Sequence, residues 1–292
     1  MGTKILFYLI LYPLSIIPLR LLYGLFYIFY ILITYIVKYR KGVTIENLKF
    51  SFPQKSNKEI FILYKQYQRH LTHIAAEMLK MLTLSRKQLA KRYYCSNPEL
   101  VNNFFNEGKS VILVSSHYNN WEWMVLALDS MFAHHGIGVG KANSNKDFEK
   151  LINIARTRYG TEVVFADHVR DTFEHYIAEN KPCAYMMLSD QSPNNLKKAF
   201  YTNFLNQDSA MIYGAEYFAK KYDFPVFYYQ VIQDKAGYYH VELELISETP
   251  QQTEYGEITV KYVQLLEKTI QKNPQYWLWS HKRWKNRGKL RP

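Results

Sequence analysis

The chain has 292 residues (34.8 kDa) and is 48% hydrophobic, so it can bury a sizeable core and intrinsic disorder is excluded. Charged residues reach only 21% against 16% aromatics, which suits surfaces that meet lipid, while a mean hydropathy of -0.29 excludes a polytopic membrane protein. The net charge of +12 predicts attraction to a polyanion, with nucleic acid, an anionic membrane and an acidic protein all eligible.

From Ile5 to Val37 the only formal charge is Arg20, and Leu21 to Val37 is apolar or aromatic apart from Gly24 and Thr34. Pro13 and Pro18 predict a kinked interfacial segment, followed by a helix of about bilayer-spanning length. A hairpin and a buried core helix are the rival readings. Lys38, Arg40 and Lys41 follow at once, and the positive-inside bias assigns that end and the rest of the chain to the cytoplasm. Residues 1–41 therefore read as a membrane anchor segment. No low-complexity linker or repeat interrupts residues 42–292, which read as one domain.

Ser56 and Glu59 have capping-box spacing and open a long amphipathic helix through Phe61, Leu71, Ile74 and Met78. Strand and helix patterns then alternate. Strands are predicted at Val111–Ser115, Ile137–Val139, Val163–Phe165, Cys183–Leu188 and Val226–Ile232, with helices at Trp123–Phe132, Phe148–Tyr159, Asp171–Glu179 and Met211–Lys220. Tyr238 to Ile246 alternates after Ala236-Gly237 and should pair antiparallel with the strand before it. A last helix runs from Glu257 to Lys272 and stops before Pro274. The fold class is α/β, a central mixed sheet flanked by helices.

The strand Val111–Ser115 ends in polar residues at His117, and an apolar helix restarts near Trp121. Ligands of α/β sheets bind beyond the carboxyl ends of strands, where His117 falls. On one regular helix, residues five apart point about 140° apart, so His117 meets Glu122 only from the turn before the helix. An imidazole held by a carboxylate at one nitrogen offers the other as a base to a hydroxyl, with no Ser or Cys nucleophile required. Glu122 is the expected orienting carboxylate. The alternative is a surface histidine beside a helix N-terminus where glutamate favours the dipole.

Further strings extend this pattern: Tyr39-Arg40-Lys41 leading to Glu46-Asn47-Leu48 and Phe52-Pro53, and His117 with Trp121-Glu122. Asp190-Gln191, Leu266-Glu267 and the run from Asn273 to Trp284 complete it. In these the chain resembles, over nearly its whole length, the bacterial late lipid A acyltransferases, the lauroyl and myristoyl transferase family of the glycerolipid (lysophospholipid) acyltransferase superfamily. The resemblance implies a glycerolipid-acyltransferase-like fold. It also implies transfer of a fatty acyl group from an acyl carrier protein thioester to a hydroxyl of a lipid A precursor at the cytoplasmic face of the inner membrane. A lysophospholipid or aminoacyl-lipid acyltransferase shares the same dyad, and a membrane-anchored polyanion-binding protein is the non-enzyme alternative. Two departures concern the acceptor. Gly140-Lys141-Ala142 stands where the family often has Tyr-Arg-Pro, and Phe204-Leu205-Asn206 stands where it has a glycine-bearing phenylalanine motif.

Lys141, at a strand end, is a candidate for phosphate binding or oxyanion stabilisation, with a solvated lysine as the alternative. Asn120 and Asn145 are candidate donors to substrate, and Asp190 and Gln191 candidates to line the cleft. Arg156 and Arg158 are candidates for a basic surface, together with the tail His281–Pro292, which has six Lys/Arg and no acidic residue. Trp277, Trp279 and Trp284 among those charges suit an anionic membrane interface or an acidic carrier protein, and no nucleic-acid motif accompanies them. His134, His135, His168 and His175 read as surface or packing histidines. Neither a metal nor a cofactor is expected, and Cys95 and Cys183 are too far apart for a disulfide framework or thiol zinc site.

Overall fold

A computed structural model describes residues 5–141 and 145–286. A π-helical turn, Phe7–Leu11, runs into α1 (Tyr12–Ile16), and the extended Ile17 before Pro18 breaks the path ahead of α2 (Leu19–Ile31). Helical backbone continues to Ile36, so Leu19–Ile36 forms one apolar helix of 18 residues, long enough to cross a membrane. Proline is the cause of the kink, as the sequence predicts. The carbonyls freed there are taken by the next long helix but one. After α3 (Lys41–Ser51) comes α4 (Asn57–Met81), from which Lys80 Nζ donates to the carbonyls of Ser15, Ile16 and Ile17 at 2.9, 3.3 and 3.2 Å. Thr83 Oγ1 adds a bond to the Ser15 carbonyl, and Gln68 Nε2 donates to the carbonyl of Tyr39. Thus the apolar helix lies antiparallel along α4, burying Leu19, Leu22 and Tyr30 while Leu21, Ile28 and Ile36 face outward.

Helix α4 starts where the capping box requires: Glu59 N donates to Ser56 Oγ, and Ser56 N donates to the Glu59 carboxylate. The chain goes on through α5 (Arg86–Arg92), β1 (Tyr93–Cys95), α6 (Glu99–Asn106), β2 (Val111–Ser115), α7 (Trp121–Met131), β3 (His135–Gly140), α8 (Lys146–Thr157) and β4 (Glu162–Phe165). Next come α9 (Val169–Ala178), β5 (Cys183–Leu188), β6 (Ala199–Phe204), β7 (Gln207–Ile212), α10 (Gly214–Tyr222), β8 (Val226–Lys235), β9 (Tyr238–Ser247) and α11 (Glu257–Lys272). Seven strands form one sheet in the order β1-β9-β8-β2-β5-β3-β4. Five run parallel, and β9 returns antiparallel to β8 through the left-handed Gly237, as its alternating pattern predicts. This is the α/β class expected.

Strand β2 sits at the centre and is buried at all five positions because helices cover both faces. Ile112 and Val114 join one core with α9, α11 and the carboxyl-terminal tryptophans; Val111 and Leu113 join the other, with α7 and the apolar amino-terminal helices. Each such side chain contributes about 1.5–3 kcal/mol of burial.

The helix expected from Met211 begins only at Gly214. Residues up to Ile212 instead pair with β6 as a hairpin, around Leu205 and Asn206 at φ 51 and 61. Two left-handed residues suit a tight hairpin turn, but leucine there carries no turn signal in the sequence.

Candidate active site

His117 and Asp190 are brought together by sheet register. Parallel pairing sets Ser115 of β2 opposite Leu188 of β5, so the residues two beyond each, His117 and Asp190, emerge side by side at the carboxyl edge. Asp190 Oδ1 lies 2.8 Å from His117 Nδ1, and Oδ2 accepts the His117 backbone N–H at 3.1 Å and the Trp277 indole N–H at 2.8 Å. Burial alone pushes the Asp190 carboxyl up, but the adjacent His117 charge and these hydrogen bonds outweigh it and hold the group below its ordinary value. An anionic Asp190 assigns the proton to Nδ1 and leaves the lone pair on Nε2. Gln191 Nε2 stands 3.1 Å from that nitrogen. The His117 side chain is 19% exposed, so Nε2 belongs to a group that solvent or a ligand can reach.

The turn bearing His117 is held from several sides. Asn119 adopts φ 56, which a non-glycine residue keeps only under constraint, and its amide donates to the carbonyl of Val231 at 2.8 Å. Tyr118 bridges to Trp277, and Leu278 N donates to the His117 carbonyl. Asn120 caps α7 by accepting from Trp123 N at 2.9 Å.

The carboxylate against the imidazole is therefore Asp190 rather than Glu122. Glu122, in the first turn of α7, takes Arg156 in a two-pronged pair, with Nε and Nη2 each 2.8 Å from a carboxylate oxygen. That pair ties α7 to α8, and Glu149 lies 3.5 Å from the same guanidinium. Arg158 is also directed inward: it donates to the carbonyls of Leu82 and Leu84 and stacks on Tyr159. Neither arginine forms the open basic surface expected of it.

Asn120 is fully buried, and its amide donates at 2.6 Å to Glu77, which turns it away from any substrate. Asn145 caps α8 by accepting from Phe148 N. Lys141 is exposed just past β3, at the same edge as His117 but two strands away, because β5 lies between β2 and β3. Asp190 and Gln191 both stand against the His117 ring.

The tail departs from its expected place. Trp277, Trp279, Arg283 and Trp284 are buried, and the Arg283 guanidinium lies over the rings of Phe204 and Trp284. Burial pulls Arg283 down to about 10, with Asp190 acting in the opposite sense. His281 is held neutral, pushed down to about 4, chiefly by burial. Residues 287–292 of the basic run lie outside the described residues. His135 is more than a packing histidine, since Asp129 Oδ1 sits 3.0 Å from Nδ1 and Glu162 Oε2 3.6 Å from Nε2.

A search for known families matches residues 2–286 to the model described as bacterial lipid A biosynthesis acyltransferase. Among curated proteins no match is found.

Proposed function

The chain belongs to the bacterial lipid A biosynthesis acyltransferase family, and on that premise we propose that it moves a fatty acyl chain from an acyl carrier protein thioester to a hydroxyl of a lipid A precursor. One observation carries the chemistry: the His117 imidazole is held by Asp190 through Nδ1, with Nε2 turned toward Gln191 at the open edge of the sheet. The acceptor hydroxyl gives its proton to His117 Nε2 as its oxygen bonds to the thioester carbon. The tetrahedral adduct then collapses, the C–S bond breaks, and the imidazolium returns the proton to the departing thiolate. Products are the lipid ester and the free thiol of the carrier, and Asp190 stabilises the imidazolium between the two transfers.

Transfer is direct, without an acyl-enzyme. Burial pushes the Cys95 and Cys183 thiols up to about 11 and about 12, so neither supplies a thiolate at neutral pH. The outward apolar face of Leu19–Ile36, followed by the exposed Lys38 and Arg40 and the half-buried Lys41, supports residence at the cytoplasmic face of the inner membrane.

The test is an acyl-transfer assay with purified full-length protein, labelled acyl carrier protein, and a lipid A precursor, a lysophospholipid and a monoacylated aminolipid as separate acceptors. Product on the lipid A precursor that disappears in a folded His117→Ala variant is expected. Product on another lipid alone overturns the acceptor, and turnover surviving in His117→Ala overturns the mechanism.

A further inference from the structure

Glu77 lies within α4, fully buried, and its side-chain contacts among the described residues are polar groups rather than a cation. Burial pushes its carboxyl up. Such a group is expensive to keep, and a leucine of similar size would pack at the same place without that cost. What the carboxyl adds is direction. Oε1 accepts from the Tyr23 hydroxyl at 2.5 Å, and Oε2 accepts from the Asn120 amide at 2.6 Å and the Tyr239 hydroxyl at 2.7 Å. The three donors come from three different elements: the apolar helix, the turn after β2, and β9. Its main-chain carbonyl accepts the Trp123 indole N–H at 3.0 Å, so one residue grips both the turn and the first turn of α7.

Asn120 cannot swing away. Its Oδ1 is committed to Trp123 N, which fixes its Nδ2 toward Glu77, and it follows Asn119 in a left-handed conformation that surrounding contacts must hold. His117 lies three residues earlier in that turn, and the ring of Trp121, next after Asn120, sits 5.6 Å from the imidazole. We propose that Glu77 is a positioning residue for acyl transfer: its carboxyl fastens the His117 turn to the apolar amino-terminal helix and to β9. The inference rests on the acyl-transfer reading of His117. It makes the apolar helix part of the site's framework, joined to the His117 turn through one shared carboxyl.

The experiment reverses the polarity of the bond between Glu77 and Asn120. Asn120→Asp alone sets two acids against each other across 2.6 Å, and kcat should fall about tenfold or more, with KM for the acyl donor within about twofold of wild type. Adding Glu77→Gln lets the new amide at 77 donate to the new carboxylate at 120, which still accepts from Trp123 N, and kcat should return to within about threefold of wild type. Both variants are assayed full-length in the same lipid system, with folding followed by thermal unfolding. A folded double variant that stays as slow as the single one overturns the inference, as does an unimpaired Asn120→Asp. Should Asn120→Asp fail to fold, recovery of fold and turnover together in the double variant supports the inference, and recovery of fold without turnover overturns it. Absent turnover in the wild-type protein overturns the acyl-transfer reading and this inference with it, whereas wild-type turnover without rescue overturns the inference alone.

Discussion

Asp190→Asn is nearly isosteric, and the contacts around the carboxylate define what it does. The amide oxygen can keep the bonds from Trp277 Nε1 and the His117 backbone N–H, both made by Oδ2. The new NH2 then faces His117 Nδ1 where Oδ1 stood at 2.8 Å, and two donors cannot share that contact. The imidazole relieves it by moving its proton to Nε2, which removes the lone pair that should accept the acceptor's proton. The expected loss is about 10³–10⁴-fold in kcat, the scale of a forced wrong tautomer in a histidine–carboxylate site. The stability cost is only about 1–3 kcal/mol, because one charge-assisted bond is lost and the packing stays. Glu122→Gln should behave in the opposite way. It weakens the Arg156 pair at a cost of about 2–4 kcal/mol, since the Arg156 side chain is 22% exposed and keeps some access to water, and it leaves His117 Nδ1 untouched. The assay is steady-state transfer at saturating donor, beside urea unfolding of the same preparations. A kcat for Asp190→Asn within about tenfold of wild type, or a folded Glu122→Gln slower than Asp190→Asn, would refute this account of the site.

Two further outcomes follow from buried titratable groups. Replacing Cys95 and Cys183 together by alanine should leave kcat within about twofold, and iodoacetamide should not inactivate the wild-type protein, because both thiols are held protonated by burial; rapid inactivation would point to a thiol in the chemistry. His70 is pulled down to about 3, mainly by burial, with its ring against Tyr276. Its folded value is depressed, so the stability it contributes is present above the unfolded value of about 6.5 and is lost as pH falls toward 3, by up to about 1.4 kcal/mol per pH unit. The unfolding midpoint of wild-type protein should therefore drop more steeply between pH 6 and about 4 than that of His70→Leu, and parallel profiles would show that His70 does not govern acid lability.

Much of the scaffold was legible because its signals are local. The run Val111–Ser115 reads as a buried strand, Ser56 with Glu59 as a helix start, and Ala236-Gly237 as a hairpin, and each is found in place. The amino-terminal kink at Pro18 was equally plain. The carboxylate partner of His117 was not, because nearness in sequence favoured Glu122 while register decided for Asp190. A signal existed all the same: His117 and Asp190 each stand two residues beyond the end of a predicted strand, and only the adjacency of β2 and β5 was missing. Arg156 and Arg158 failed as surface cations for a similar reason. Their partners are Glu122 and the carbonyls of Leu82 and Leu84, and at 34 and more than 70 residues' separation no spacing rule reaches them.

The strings that carry the family resemblance are scattered along the chain, yet they converge around one histidine. Asn47 Nδ2 donates to the carbonyls of Trp279 and His281 at 2.9 and 3.0 Å, and Tyr67 OH accepts from Ser280 N. Trp277 in turn holds Asp190, and Leu278 holds the His117 carbonyl. The tryptophans near the carboxyl terminus therefore form an inner wall of the site, with their indole N–H groups paired to Asp190, the Pro274 carbonyl and Ser209. Arg283 is buried in the same wall, with its guanidinium over the rings of Phe204 and Trp284.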